Sequence, residues 1–335
     1  MKKLIVRSLL ILLALVLCAV LFVYFYFFRT TIVDEPQLSS ELKSTEMVVN
    51  GMTRTLDYYI PADLKAGRPL VFILHGSMSK GKDVRKMTGY GFDQLADSEG
   101  FIAVYPNGYE NHWNDCRGSA DYAANVENID DRQFFTAMID HFAEHHQIDR
   151  SRVYATGHSN GGHMAYRLAF EMPGQFAAIA PISANIPVAG NLDCEQSGQP
   201  VSVAIFNGTN DPVNPYNGGL VEIMGDKSRG EVISAADSAA YWRELASASQ
   251  DPVTKVFPEV DGDPNTKVIL QSWQGDGDVE VRLYTLQGSG HVIPTGKVKF
   301  GRMLGGSAGD IEAAAEIWEF FARHQITAAH QGWSP

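Results

Sequence analysis

The chain has 335 residues, 45% of them hydrophobic and 20% charged, a globular composition that excludes a disordered polymer and allows one large domain or two small ones. Its formal net charge is −12. The first 29 residues hold Lys2, Lys3, Arg7, Arg29 and no acid. The remainder therefore carries 23 basic against 39 acidic residues, a net of −16, which argues against nucleic acid and anionic lipid headgroups as partners.

After Arg7, residues 9–28 form an uninterrupted apolar run ending in Tyr24-Phe25-Tyr26-Phe27-Phe28. Twenty helical residues span about 30 Å, one hydrocarbon core. Basic residues before the run and a single Arg29 after it place the N-terminus in the cytoplasm and the rest outside. The rival is a cleaved signal peptide, whose apolar region would be shorter and end in small residues. Phe27-Phe28-Arg29 offers none, and Leu17 before Cys18 does not suit a lipoprotein signal. The reading is an uncleaved anchor over 1–29, a polar tether containing Pro36 over 30–44, one domain over 45–326 and a tail over 327–335.

Residues 47–49 and 53–60 flank Asn50-Gly51, a hairpin signal. The continuous apolar run at 69–74 reads as a strand buried on both faces, and it delivers His75-Gly76-Ser77. A helix around 92–98 and a strand at 101–105 follow. Then comes a polar loop over 107–127 carrying Trp113 and Cys116. Phe134, Phe135, Met138, Ile139 and Phe142 recur at helical spacing, predicting an amphipathic helix over 130–146.

The stretch around which the chain is organised is Val153-Tyr154-Ala155-Thr156-Gly157-His158-Ser159-Asn160-Gly161-Gly162. A Gly-x-Ser-x-Gly between a strand and a helix is the nucleophile-elbow pattern. The helix predicted to 171 would point free N–H groups at charge developing beside Ser159. Strands are expected near 176–182, 201–206, 268–273 and 279–286, and helices over 234–248 and 310–324. The alternation of strands and helices predicts an α/β fold with a doubly wound, mostly parallel sheet.

A serine hydroxyl needs a base within reach and a carboxylate that fixes the base's tautomer. Asp211 and His291 follow predicted strands, in the order serine, acid, histidine. Taken singly they read as a turn aspartate before proline and a loop histidine; together with the elbow they read as a triad. Asp193 and Asp131 are the alternative acids. The backbone N–H groups of Ser77 and Asn160 are the candidate oxyanion donors, and His75, Trp113 and His158 are candidates for contacting substrate. Cys116 and Cys194 form either a disulfide, which the outward topology favours, or two unrelated buried thiols.

Two further motifs compete. Gly76 to Lys82 fits most of a phosphate-binding loop, but Asp83 stands where magnesium needs a hydroxyl. His141-Phe142-Ala143-Glu144-His145 fits an inverted zinc-peptidase motif, yet no partner ligand stands out and histidines also suit a helix C-terminus. No cofactor or metal is called for.

On these residues the chain resembles the polyhydroxybutyrate depolymerase and feruloyl-esterase-like family of α/β-hydrolases. The matching stretches are Leu74-His75-Gly76, Trp113-Asn114-Asp115-Cys116, residues 152–167 and 207–216, Gly290-His291 and residues 310–324. The resemblance implies an α/β-hydrolase fold, Ser159 as nucleophile, Asp211 as acid, His291 as base, and Ser77 and Asn160 as oxyanion donors. It also implies polyester oligomers, feruloyl or acetyl groups, or small esters as substrates. Val292-Ile293-Pro294 departs from the family, where an aromatic residue often precedes the proline. The expectation is an inner-membrane-anchored, outward-facing serine ester hydrolase acting on soluble oligomers or small esters, the other classes being a non-catalytic binding module and a zinc peptidase.

Overall fold

The computed structural model describes residues 2–249 and 251–326, so the 327–335 tail lies outside the described residues. Helix α1 (Lys2–Val23) runs into a π-helical turn at Tyr24–Phe28. Residues 5–28 are long and apolar enough to cross a membrane and are exposed along their length, as a membrane span or a signal would be.

The first two strands of the domain, β1 (Lys43–Val49) and β2 (Met52–Tyr59), form the expected hairpin. Asn50 and Gly51 at its tip have φ of 50° and 79°, the two positive values a type I′ turn requires. Five strands follow that are buried at every position: β3 (Leu70–Leu74), β4 (Ile102–Pro106), β5 (Val153–His158), β6 (Ala178–Ile182) and β7 (Ser202–Gly208). Continuous apolar runs make such strands because helices cover both faces of a parallel sheet. With β8 (Val253–Val256), β9 (Lys267–Gln274) and β10 (Glu280–Gln287) they build one ten-stranded sheet, ordered β8-β9-β10-β7-β6-β5-β3-β4-β2-β1. The strands from β4 across to β10 are parallel, and both flanks are antiparallel. Edge strand β8, which the sequence pattern did not indicate, is exposed at all four residues.

Alternation along the strands sends side chains into two cores. Helices α2 (Gly81–Met87), α3 (Gly91–Glu99) and α8 (Ala313–Phe321) close one face, where Phe92, Ile317 and Phe321 meet Val71, Ile73 and Tyr154. After the short α4 (Ala123–Val126), helices α5 (Asp131–His146), α6 (Asn160–Glu171) and α7 (Ala235–Leu245) close the other, with Phe135, Met164 and Trp242 against Phe72, Leu74 and Val203. Side-chain caps start α5 and α7: Asp130 accepts from the Gln133 N–H, and Ser234 from that of Asp237.

The tether expected over 30–44 is not a free spacer. Thr31–Ile32 pairs antiparallel with Val298–Lys299, Glu35 accepts a hydrogen bond from Arg85, and the Ser39 N–H donates to Asp97 at 2.9 Å. Lys43 already belongs to β1. The polar composition suggested a solvated linker, but its polar atoms find matching partners on α2, α3 and β2 instead.

A disulfide joins Cys116 to Cys194, with Cα atoms 5.0 Å apart and a sequence separation of 78. Closing a loop of that size is worth about 4–5 kcal/mol in the chain-entropy account. Around it the Gly118 N–H donates to the Asn191 carbonyl and the Asp193 N–H to that of Cys116, so the 113–120 loop is stitched to the segment after β6.

Candidate active site

The turn from β5 into α6 places Ser159 at φ 56°, ψ −118°, a backbone conformation a side-chain-bearing residue occupies only when its surroundings impose it. Those surroundings are backbone. A Cβ on Gly157 would stand 2.4 Å from Gly161, and one on Gly161 would stand 2.5 Å from the Leu74 carbonyl oxygen. Strand and helix thus approach at van der Waals distance and hold the serine out between them, partly exposed, with its N–H donating to the Ile182 carbonyl at 2.8 Å.

Asp211 and His291 follow β7 and β10, adjacent parallel strands, and their loops meet. His291 Nδ1 lies 2.8 Å from Asp211 Oδ2. The other oxygen of Asp211 accepts the N–H groups of Val213 and Asn214, both at 2.8 Å, which fixes the carboxylate. His291 is held by its own backbone, whose N–H donates to the Leu304 carbonyl at 2.6 Å. Its ring packs against that of His158, centres 4.8 Å apart, and His158 directly precedes Ser159. The two alternative acids are elsewhere: Asp131 is buried in an ion pair with Arg54, and Asp193 is exposed beside the disulfide.

The His75-Gly76-Ser77 turn runs alongside the elbow, since a Cβ on Gly76 would stand 3.4 Å from the Ser159 Cβ. The Ser77 N–H meets no acceptor among the described residues, and Asn160 opens α6, where an amide has no carbonyl one turn earlier in the helix. Met78, next in line, is exposed at φ 58°, its N–H bound to the Asn111 carbonyl.

His75, Trp113 and His158, expected to contact substrate, are buried instead. The Trp113 indole donates to the His75 carbonyl at 3.0 Å, and His75 Nε2 accepts the Gly108 N–H at 2.9 Å while its Nδ1 faces the Gly76 carbonyl. This pattern fixes the neutral tautomer, and burial lowers the His75 pKa to about 4. His158 is likewise held neutral, chiefly by burial and then by the neighbouring His291. All three support the turns around Ser159 rather than line a surface.

Sequence reasoning missed the network behind Asn160. The Asn160 carboxamide oxygen accepts the Trp113 N–H at 2.8 Å, and its nitrogen donates to Asp115 Oδ2 at 2.6 Å. Asp115 also accepts from Arg117 at 2.5 Å and from the Tyr122 hydroxyl at 2.8 Å, all within the interior. Burial opposes the Asp115 charge, but Arg117 and these hydrogen bonds outweigh it and hold its pKa down to about 2. The available signal was an acid and an arginine two apart beside a cysteine in an otherwise polar loop.

The motif at the end of α5 comes together only locally. The His141 and His145 rings stack 4.5 Å apart, and His145 Nδ1 binds the carbonyl of His141 in its own helix. Among the described residues no group of three His, Cys, Asp or Glu side chains is placed to hold a metal ion.

Residues 55–213 match the family described as Esterase PHB depolymerase. That match covers just under half of the chain, which is similar to that esterase family over those residues. With relatives named esterases and depolymerases, it marks the chain as a carboxylic ester hydrolase of the serine-hydrolase type. Among relatives of this esterase, the Nocardia uniformis protein named esterase NocK is 26% identical over 276 residues, 80% of this chain and 78% of that protein. A feruloyl esterase C of Aspergillus niger is 30% identical over 180 residues, 51% of this chain and 59% of that protein, so this chain spans less than two thirds of it. The solved acetyl xylan esterase from Aspergillus awamori superposes with a TM-score of 0.54 over 84% of this chain and 99% of its own at 16% identity, a likeness of α/β-hydrolase fold.

Proposed function

We propose that this esterase works through an acyl-enzyme, with Ser159 as nucleophile, His291 as general base and acid, and Asp211 as the carboxylate that orients the imidazole. The observation carrying the reading is the 2.8 Å contact of Asp211 with His291 Nδ1, in loops that follow adjacent strands of the sheet whose elbow holds Ser159. A hydrogen on Nδ1 leaves Nε2 unprotonated to accept the serine proton. Ser159 Oγ then bonds to the ester carbonyl carbon, and the resulting oxyanion is met by the N–H groups of Ser77 and Asn160 at the positive end of α6. His291 passes the proton to the departing alcohol oxygen as the carbon–oxygen bond breaks. Water, deprotonated by the same imidazole, attacks the acyl-serine, and the acid leaves as the serine regains its proton. No cofactor or metal enters these steps.

The substrates proposed are polyhydroxybutyrate-type oligomers, feruloyl or acetyl esters, or other small esters, a range supported by the names of the relatives. The N-terminal helix anchors the chain, with the catalytic domain outside the cytoplasm, periplasmic or extracellular. The test is a panel of acetyl, butyryl, hydroxybutyryl and feruloyl esters with the full chain, before and after a fluorophosphonate probe. Turnover of at least one ester that the probe stops is expected. No turnover of any ester, together with no labelling of Ser159, would leave the non-catalytic binding module standing instead.

A further inference from the structure

The N-terminal span does not leave the domain at an arbitrary point. Its last turn, Tyr24–Phe28, packs on the segment that follows the His291 loop: a Cβ on Gly301 would stand 2.4 Å from the Phe27 carbonyl oxygen. The chain then continues as Thr31–Ile32, paired with Val298–Lys299. At this level two arginines lie over aromatic rings, Arg302 at 4.8 Å from the centre of Tyr26 and Arg29 at 5.2 Å from that of Phe25. Lys299 and Arg302 are exposed, Met303 beside them is 36% exposed, and among the described residues no carboxylate forms an ion pair with Arg29, Lys299 or Arg302. Lys297 nearby is tied to Gln94.

Acids also border the patch. Glu35 is occupied by Arg85, Asp261 by the Gly309 and Asp263 N–H groups, and Asp263 by Asn265 while feeling the charge of Arg302. Three cations gathered at the end of an apolar span, with tyrosines and phenylalanines at the same height, match the chemistry of a bilayer interface. This runs against the net of −16 outside the first 29 residues, which on its own argued against anionic headgroups.

We propose that Arg29, Lys299 and Arg302, with Tyr24, Tyr26 and Met303, form a collar that seats the domain on the anionic headgroups of the membrane its N-terminal helix enters. The proposal rests on the anchor reading above and not on the ester chemistry. Its consequence is orientation. Leu304, two residues beyond Arg302, holds the His291 N–H, and Gly306 holds that of Gly290, so the face carrying the His291 loop is turned toward the bilayer.

The test uses the full chain with Cys18→Ser, a fluorophore on Met303→Cys or on Gly174→Cys, and nanodiscs containing brominated lipid with or without phosphatidylglycerol. Gly174 precedes β6 at the opposite end of the sheet, and a Cβ there meets open space. Quenching is expected at 303 and not at 174, and it should strengthen when phosphatidylglycerol is present. Lys299→Glu should cut that enhancement at least about fivefold, one cation's share of surface attraction, and Arg302→Glu should act likewise. Because Arg302 also packs on Tyr26, the Lys299 variant carries the decision. Equal absence of quenching at 303 and 174, or quenching at 303 indifferent to phosphatidylglycerol, would overturn the collar. Release of the chain by carbonate would overturn the anchor and the collar together, whereas a retained chain with an unquenched 303 overturns the collar alone.

Discussion

Two histidine-bearing regions of this molecule look equally suggestive as sequence and differ entirely as structure. At the end of α5, His141, Glu144 and His145 sit within five residues; in the loops after β7 and β10, Asp211 and His291 are 80 residues apart. The compact motif yields two rings stacked on one exposed helix face, one of them bonded to its own backbone. The dispersed pair yields a buried contact in which every polar atom of the carboxylate is committed. Helical spacing brings side chains together for reasons of pitch alone. Residues that meet only through the sheet must be held there by the fold, and that makes their meeting informative.

The comparison breaks most directly at Ser159. Ser159→Ala should lower esterase kcat by about 10⁶-fold and abolish fluorophosphonate labelling while leaving the circular dichroism spectrum unchanged. Near wild-type turnover in that variant would return the α5 motif to consideration. Asp211→Asn should keep the fold but lose about 10³ to 10⁴ in kcat, because the imidazole then presents the wrong tautomer. Asp193→Asn and Asp131→Asn should not reproduce a loss of that kind in kcat, though the second removes a buried partner of Arg54.

Two stability measurements sharpen the contrast by testing what holds the elbow side in place. Reducing the Cys116–Cys194 bridge should remove about 4–5 kcal/mol, read as a fall in Tm, and three free thiols, Cys18 included, in the oxidised, unfolded chain would rule the bridge out. Asp115→Asn should destabilise by about 3–5 kcal/mol, since it leaves Arg117 buried without its partner. In the wild type the folded-state pKa of Asp115 is depressed, so its contribution is present above about pH 4 and is lost as pH falls toward 2. Acid titration of the Asp115→Asn variant should lack that share of the loss. The smallest effect belongs to the other region: the double change His141→Ala, His145→Ala should leave turnover and chelator response unchanged and move stability by no more than about 0.5 kcal/mol.

What could be read from the chain was whatever local pattern dictates. The apolar run at 70–74, the Asn50-Gly51 turn and the glycines around Ser159 each demand one geometry, and the strand ends carrying Asp211 and His291 follow from them. The internal contacts of loops were not legible. Nothing in Trp113 or His75 announces that one donates to the other's carbonyl; the sequence offered them as candidates for contacting substrate, and both lie fully buried. The polar stretch before Lys43 misled for the same reason, because polarity shows that a segment needs hydrogen bonds but not whether water or Arg85, Asp97 and Tyr59 supply them. Strand β8 was missed because Val-Thr-Lys-Val is too short and mixed to stand out from a loop.

That edge strand carries a liability of its own. Among the described residues β8 pairs with β9 alone, so the backbone donors and acceptors on its outer side are open to any extended chain that arrives in register. Val253, Thr254 and Val256 would suit such an arrival; the single charge in the strand is Lys255, whose ammonium lies 4.0 Å from the centre of the buried Phe257 ring. Lys255 thus acts as a gatekeeper against sheet-to-sheet growth between molecules, and Lys255→Val should leave the folded monomer intact while shortening the lag to β-rich aggregates at high concentration.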